Sequence, residues 1–124
     1  VLYEKRITVN VHAGDELTRA RIVRQLRPTP WFGVVREGGA VDILFLGRND
    51  KTAGVQLRRL TRDGRTPVVV VAEQLSETEL MAIEEYGVTS VLLWGERLTA
   101  GRLSRAVHNA AGCCPRLPVL TALV

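Results

Sequence analysis

Apolar and polar residues fall into short alternating blocks along the 124-residue chain. Ile7 to Val11 reads as a short strand that Asn10 interrupts mildly. Asp15 stands where a helix cap would. After it Leu17, Ala20, Val23 and Leu26 recur at three-residue steps, with Arg19, Arg21 and Arg24 outside that stripe. Pro28 and Pro30 end the helix, because a proline ring removes a backbone donor and blocks the preceding turn. Val41 to Leu46 is an apolar run broken only by Asp42, the pattern of a strand buried on both faces. Ala53, Leu57 and Leu60 mark a second helix, closed by Asp63-Gly64. Pro67 to Ala72 contains four consecutive valines, β-branched side chains that suit a buried strand. Ser76 and Glu79 form a capping box, in which each side chain satisfies the other's backbone N–H. Leu80, Ile83 and Tyr86 follow at helical spacing, and Gly87 stops that helix. Val88 to Trp94 is the next strand. Thr99 caps a last helix with Leu103, Ala106, Val107 and Ala110 on its inner side, ending at Gly112.

Strands alternating with helices imply a doubly wound parallel sheet with helices on both faces, an α/β class. The folded unit then spans residues 1–112. Residues 113–124, rich in proline and cysteine, read as a linker toward a further module. One stretch departs from the alternation. Trp31 to Val35 could be a second strand, but only Arg36 to Ala40 separate it from the next, and a parallel crossover ordinarily needs a dozen residues or more. Alternatively, Thr29-Pro30 starts a short helical turn with Trp31, Val34 and Val35 on one face. Either the second βα unit is rudimentary or residues are missing from it.

Composition narrows the class. No apolar run approaches the roughly 20 residues a membrane span needs, and Val1 to Arg6 lack the layout of a signal peptide. A cytoplasmic protein with no membrane contact is expected. The net charge is +4 and the isoelectric point about 9.7. Only Lys5 and Lys51 are lysine; the remaining positive charge is arginine, spread over several helices with acids among them. That spread favours solvated helix faces over a DNA-binding surface in this domain. Cys113 and Cys114 are adjacent, without the second pair that a disulfide framework or zinc site requires. Neither has an activating partner in sequence. No metal and no cofactor is expected.

The order of elements resembles a response-regulator receiver domain, of the kind attached to LuxR-type DNA-binding domains. The stretches that carry the resemblance are ITVNVHAGDELTRARIVRQL, VDILFLG, TPVVVVAE, YGVTSVLLWGE and LSRAVHNAAG. It runs from Ile7 to about Val124 with a gap around residues 36–40. The tail CCPRLPVLTALV is similar to the family's linker, with Pro118 where that linker often has proline. The resemblance implies a receiver, or flavodoxin-like, sheet with its site beyond the carboxyl ends of the strands.

In that family, phosphorylation uses five groups. Two acids after the first strand help hold Mg²⁺, and an aspartate ending the third strand is the nucleophile. A Thr or Ser ends the fourth strand and a Lys the fifth, where they meet the phosphoryl oxygens. Carried onto this chain, the acidic pair falls on Ala13 and Gly14, the nucleophile on Gly47, the hydroxyl on Ala72 and the lysine on Trp94. None of the five chemical groups is retained. Asp15 stands one step past the acidic pair and is better placed as a cap. Asp50 lies three residues beyond Gly47, in a loop. His12 adjoins the vacated site and reads as a histidine ending a buried strand.

The resemblance and the five losses together imply an atypical, phosphorylation-independent receiver-like domain of a transcriptional regulator. It would not be an enzyme, and it would reach DNA only through a C-terminal domain absent from this chain. No Gly-rich phosphate loop, nucleophile–base pair or metal cluster supports an enzyme. The expected partner is a second copy. In relatives the fourth helix, fifth strand and fifth helix often form a dimer face, and here that region carries Glu84, Glu85, Arg97, Arg102 and Arg105. The alternative is a small-molecule sensor. Ala13, Gly14, Gly47 and Ala72 would leave room for an effector, and Trp94 would supply an aromatic wall. Otherwise Trp94 leans over the vacated site and packs near Gly47 and Ala72.

Overall fold

The computed structural model describes residues 6–48, 52–62, 64–95 and 100–112. Five strands, β1 (Ile7–His12), β2 (Phe32–Val35), β3 (Val41–Leu46), β4 (Val68–Ala72) and β5 (Ser90–Leu93), form one sheet in the order β2-β1-β3-β4-β5. Every neighbouring pair is parallel. The helices are α1 (Glu16–Leu26), α2 (Ala53–Thr61), α3 (Glu77–Glu85) and α4 (Ala100–Gly112). None of them is long and apolar enough to cross a membrane.

The period of two along each strand divides the core into two layers. Val41, Ile43 and Phe45 of β3 join Val9, Val11, Val69 and Val71 against Ile22 and Leu26 of α1 and Leu103 and Val107 of α4. Leu44 and Leu46 join Val68, Val70 and Ala72 against Leu57 of α2 and Ile83 of α3. Both faces of β3 and β4 are covered, so both strands are buried along their whole length. The capping box at Ser76 and Glu79 opens α3 as the sequence implies, and Gly87 leaves that helix with φ +79°. All four apolar residues assigned to the inner side of the last helix are buried.

The first helix turns differently from its sequence reading. Asp15 does cap it, accepting from the Thr18 N–H. The buried residues are Ile22 and Leu26, with Val23 partly covered, whereas Leu17 is 74% exposed and Ala20 is exposed. A three-residue step advances only 300° around a helix, so a stripe drawn at that spacing drifts off the buried face.

Trp31 to Val35 is resolved in favour of a strand: Phe32–Val35 pairs with Ile7–Asn10 at the sheet edge. The second βα unit is present without its helix. Val35 lies opposite Asn10 and Val41 opposite Val9, so the chain leaves β2 and enters β3 at nearly the same height. Residues 36–40 cross directly over β1. The Asn10 side-chain amide donates to the Arg36 carbonyl at 3.2 Å. The Ala40 N–H donates to the Thr8 carbonyl at 2.8 Å, and Gly38 turns the chain with φ +71°. At Gly39 a Cβ would sit 2.9 Å from the Asn10 backbone nitrogen, so the connector lies on β1 as only glycine allows. Five residues suffice because they hug the strand and no helix intervenes. This also accounts for Asn10. Thr8, Asn10 and His12 occupy the side of β1 that a helix would otherwise cover, and they are polar because only a loop lies there.

Candidate functional site at the strand ends

The five positions singled out from the sequence follow or end β1, β3, β4 and β5, but the Trp94 ring does not lean over Gly47 and Ala72 as expected; it packs on Phe45 and Arg21. Ala13 and Gly14 follow β1, Gly47 follows β3, Ala72 ends β4 and Trp94 follows β5. The Trp94 N–H donates to the Ala72 carbonyl at 2.7 Å, which continues the β4–β5 pairing to that point. Between Gly14, Asp15, Thr18, Phe45, Gly47 and Glu73 lies an open recess of about 260 Å³.

The recess is poor in reactive groups. Gly14 and Gly47 bring no side chain to it, and Phe45 brings only a ring. Asp15 is committed to α1: its Oδ1 accepts from the Thr18 N–H at 2.7 Å and its Oδ2 from the Thr18 hydroxyl at 3.1 Å. The backbone bond from Thr18, followed by the hydroxyl, holds the Asp15 carboxyl below its ordinary value. Glu73 faces Arg48 at 3.8 Å. Among the described residues no three His, Cys, Asp or Glu side chains come together as a metal site.

Trp94 folds back onto the protein. Its ring meets Phe45 edge-on, with centroids 5.8 Å apart and planes at 86°. The Arg21 guanidinium of α1 lies 5.4 Å over the same ring. The ring packs on the α1–α4 side of the sheet, whereas the Ala72 methyl lies on the opposite side among Leu44, Leu46 and Leu57. Trp94 therefore neighbours Ala72 through the backbone only. Alternation sets this: Leu92 and Trp94 project to one face, Val91 to the other. The arrangement ties β5, β3 and α1 together beside the recess.

Two contacts are not legible in the local sequence. Arg21 lies outside the apolar stripe of its helix, and nothing local signals that it reaches a residue 73 positions further on. His12 and Asp42 stand on separate strands. In the fold His12 Nε2 lies 3.0 Å from Asp42 Oδ1, with side chains 19% and 12% exposed. The contact gives each of these two polar side chains a partner between β1 and β3. The available signal was an acid within an apolar strand and a histidine on the next, both at odds with full burial. Of the proposed dimer-face residues, Glu84 and Glu85 are exposed on α3 and Arg102 and Arg105 on α4. Arg97, Asp50, Asp63, Thr99, Cys113, Cys114 and Pro118 lie outside the described residues.

The strand order 2-1-3-4-5 with helices on both faces defines the doubly wound, flavodoxin-like class to which receivers belong. No protein-family model matches the chain, and no curated protein matches it in sequence. Solved structures do match its fold. A protein of Burkholderia pseudomallei described as pilus assembly-related aligns with TM-score 0.73 at 20% identity, over 89% of this chain and 92% of that one. The signal receiver domain of the response regulator NarL from Mycobacterium tuberculosis aligns with TM-score 0.69 at 18% identity, over 87% and 98%. A CheY-like response regulator from Mesorhizobium loti gives 0.66 at 16%, over 86% and 99%. The chain has the receiver fold.

Proposed function

We propose that this chain is a receiver-like regulatory domain whose state is set without phosphorylation. The observation that carries the reading is Gly47. It follows the last residue of β3, where the resemblance places the phospho-accepting aspartate, and it has no side chain with which to attack. The other four positions support it, since none supplies a carboxylate, hydroxyl or ammonium to hold Mg²⁺ or a phosphoryl group. The Trp94 ring, where the resemblance places a lysine, is held by Phe45 and Arg21 and supplies no cation. On this reading the domain belongs to a transcriptional regulator and acts through contacts with a second copy or another protein. The apolar surface for such contacts includes Met81 on α3, with Glu84 and Glu85, and Leu93 at the end of β5, which are 63% and 59% exposed.

The direct test is incubation with acetyl phosphate and Mg²⁺, read by intact mass. No phosphoryl adduct is expected. A stoichiometric, Mg²⁺-dependent adduct would overturn the proposal. The small-molecule reading draws on the open recess; binding of an effector there would shift Trp94 fluorescence in a Trp31→Phe background, and an unchanged spectrum at saturating effector would place the effector elsewhere.

A further inference from the structure

Along the sequence the arginines look dispersed and interleaved with acids. The fold sorts them by layer: Arg58 and Arg59 on α2 and Arg62 at its end share the layer of α3 and its glutamates, whereas α1 and α4 form the other layer. α1 and α4 lie side by side in one layer, sharing the core of Ile22, Leu26, Leu103 and Val107. The Thr29 and Ser104 hydroxyls join them at 3.0 Å. Arg21, Arg24 and Arg27 are exposed on the first helix, and Arg105 and His108 on the second. From Leu17 to Arg27 and from Ala100 to Gly112 there is no Asp or Glu. The two acids at the start of α1 are already engaged, Asp15 with Thr18 and Glu16 with Arg36 at 3.7 Å. Four glutamates, Glu77, Glu79, Glu84 and Glu85, sit on α3 in the opposite layer. One side of the molecule is thus positive across two helices.

We infer that the outer face of α1 and α4 is a contact surface for the phosphate backbone of nucleic acid. The cations there are arginines, whose planar forks match phosphate oxygens in pairs. Arg21 lies over the Trp94 ring, and a stacked guanidinium keeps its in-plane N–H groups for a second partner. The face does not have the character of a protein interface. Such interfaces have apolar centres depleted of charge, but beyond Leu17 neither helix exposes a large hydrophobic residue. Self-association through this face about a two-fold would set arginine against arginine. A polar, positive and nearly acid-free surface is the kind that neutralises phosphates.

The test uses this chain and a fluorescein-labelled duplex of mixed sequence, read by fluorescence anisotropy. With about four phosphate contacts, affinity should fall on the order of 100-fold as salt rises from about 50 to about 200 mM. The pair Arg24→Glu and Arg105→Glu should weaken binding at least ~10-fold and flatten the salt dependence by about two contacts. Arg58→Glu with Arg62→Glu on the other layer changes the net charge equally and should have little effect. Circular dichroism confirms that both variants fold. Equal losses from the two pairs would assign the binding to net charge alone and overturn the inference. So would absence of binding at low salt, or binding to polyglutamate as tight as to the duplex, which would assign the face to an acidic protein.

Discussion

Replacing Trp94 by lysine, the residue that the resemblance to receivers places here, tests whether the ring holds the strand ends together. The edge-on contact with Phe45 is worth about 0.5–1.5 kcal/mol beyond its buried area, and the Arg21 guanidinium over a partly exposed ring about 0.5–1 kcal/mol. A half-buried indole hides on the order of 100 Å², or about 2.5 kcal/mol at 25 cal/mol per Å². The lysine stem recovers roughly half of that by lying along the same surface. The ammonium is also drawn toward Arg21, where like charges repel. The expected loss is about 2–4 kcal/mol. Urea unfolding followed by far-ultraviolet circular dichroism measures it, since the variant loses a tryptophan signal. A double-mutant cycle with Phe45→Leu should return a coupling of about 1 kcal/mol. A change within about 0.5 kcal/mol of zero, the range typical of surface sites, would mean that the ring is not a structural tie.

Three further outcomes follow from the geometry. Gly39→Ala forces a methyl to within 2.9 Å of the Asn10 nitrogen and should cost about 1–3 kcal/mol in urea unfolding, whereas Gly54→Ala in α2, with open space around it, should stabilise by about 0.5–1 kcal/mol; equal effects would refute the close crossing. His12→Leu leaves the Asp42 carboxylate without its partner and should destabilise by about 1–3 kcal/mol, while adding Asp42→Leu should recover most of the loss; an uncoupled pair would show that the contact contributes nothing. The Asp15 carboxyl is held below its ordinary 3.8 by Thr18. Its contribution is therefore complete above that value and is lost as pH falls through the lower folded-state value. Asp15→Asn should flatten the stability curve in that acid window only, and an unchanged curve would count against the cap.

The alternation of valine-rich strands with capped helices made the sheet legible, because burial on both faces leaves an uninterrupted apolar run in β3 and β4. The last helix was legible for a similar reason: Leu103, Ala106, Val107 and Ala110 follow the true helical period. The first helix was less so, since arginines line both flanks of Ile22 and a three-residue stripe through Leu17 looked equally regular. Asn10 breaks the apolar pattern of β1 because it lies on the face over which residues 36–40 cross without a helix. That reading needed the strand register, which no local pattern supplies. The five strand-end positions could be named from the sequence because the turns after β1, β3, β4 and β5 keep their order. The direction of the Trp94 ring could not. It depends on the parity of β5 and on Arg21, contacts between elements distant in the chain. The arginine face was hidden for the same reason: only packing reveals that α1 and α4 are neighbours and that α3 lies opposite.

The most direct measurement is a pair of ¹⁵N-correlation spectra of this chain, with and without Mg²⁺ and beryllium fluoride as a phosphoryl mimic. If the strand ends are closed to phosphoryl chemistry, the amides of Ala13, Gly14, Gly47 and Ala72 and the Trp94 indole stay unmoved. Saturable, Mg²⁺-dependent shifts centred on Gly47 and the Trp94 indole would contradict it.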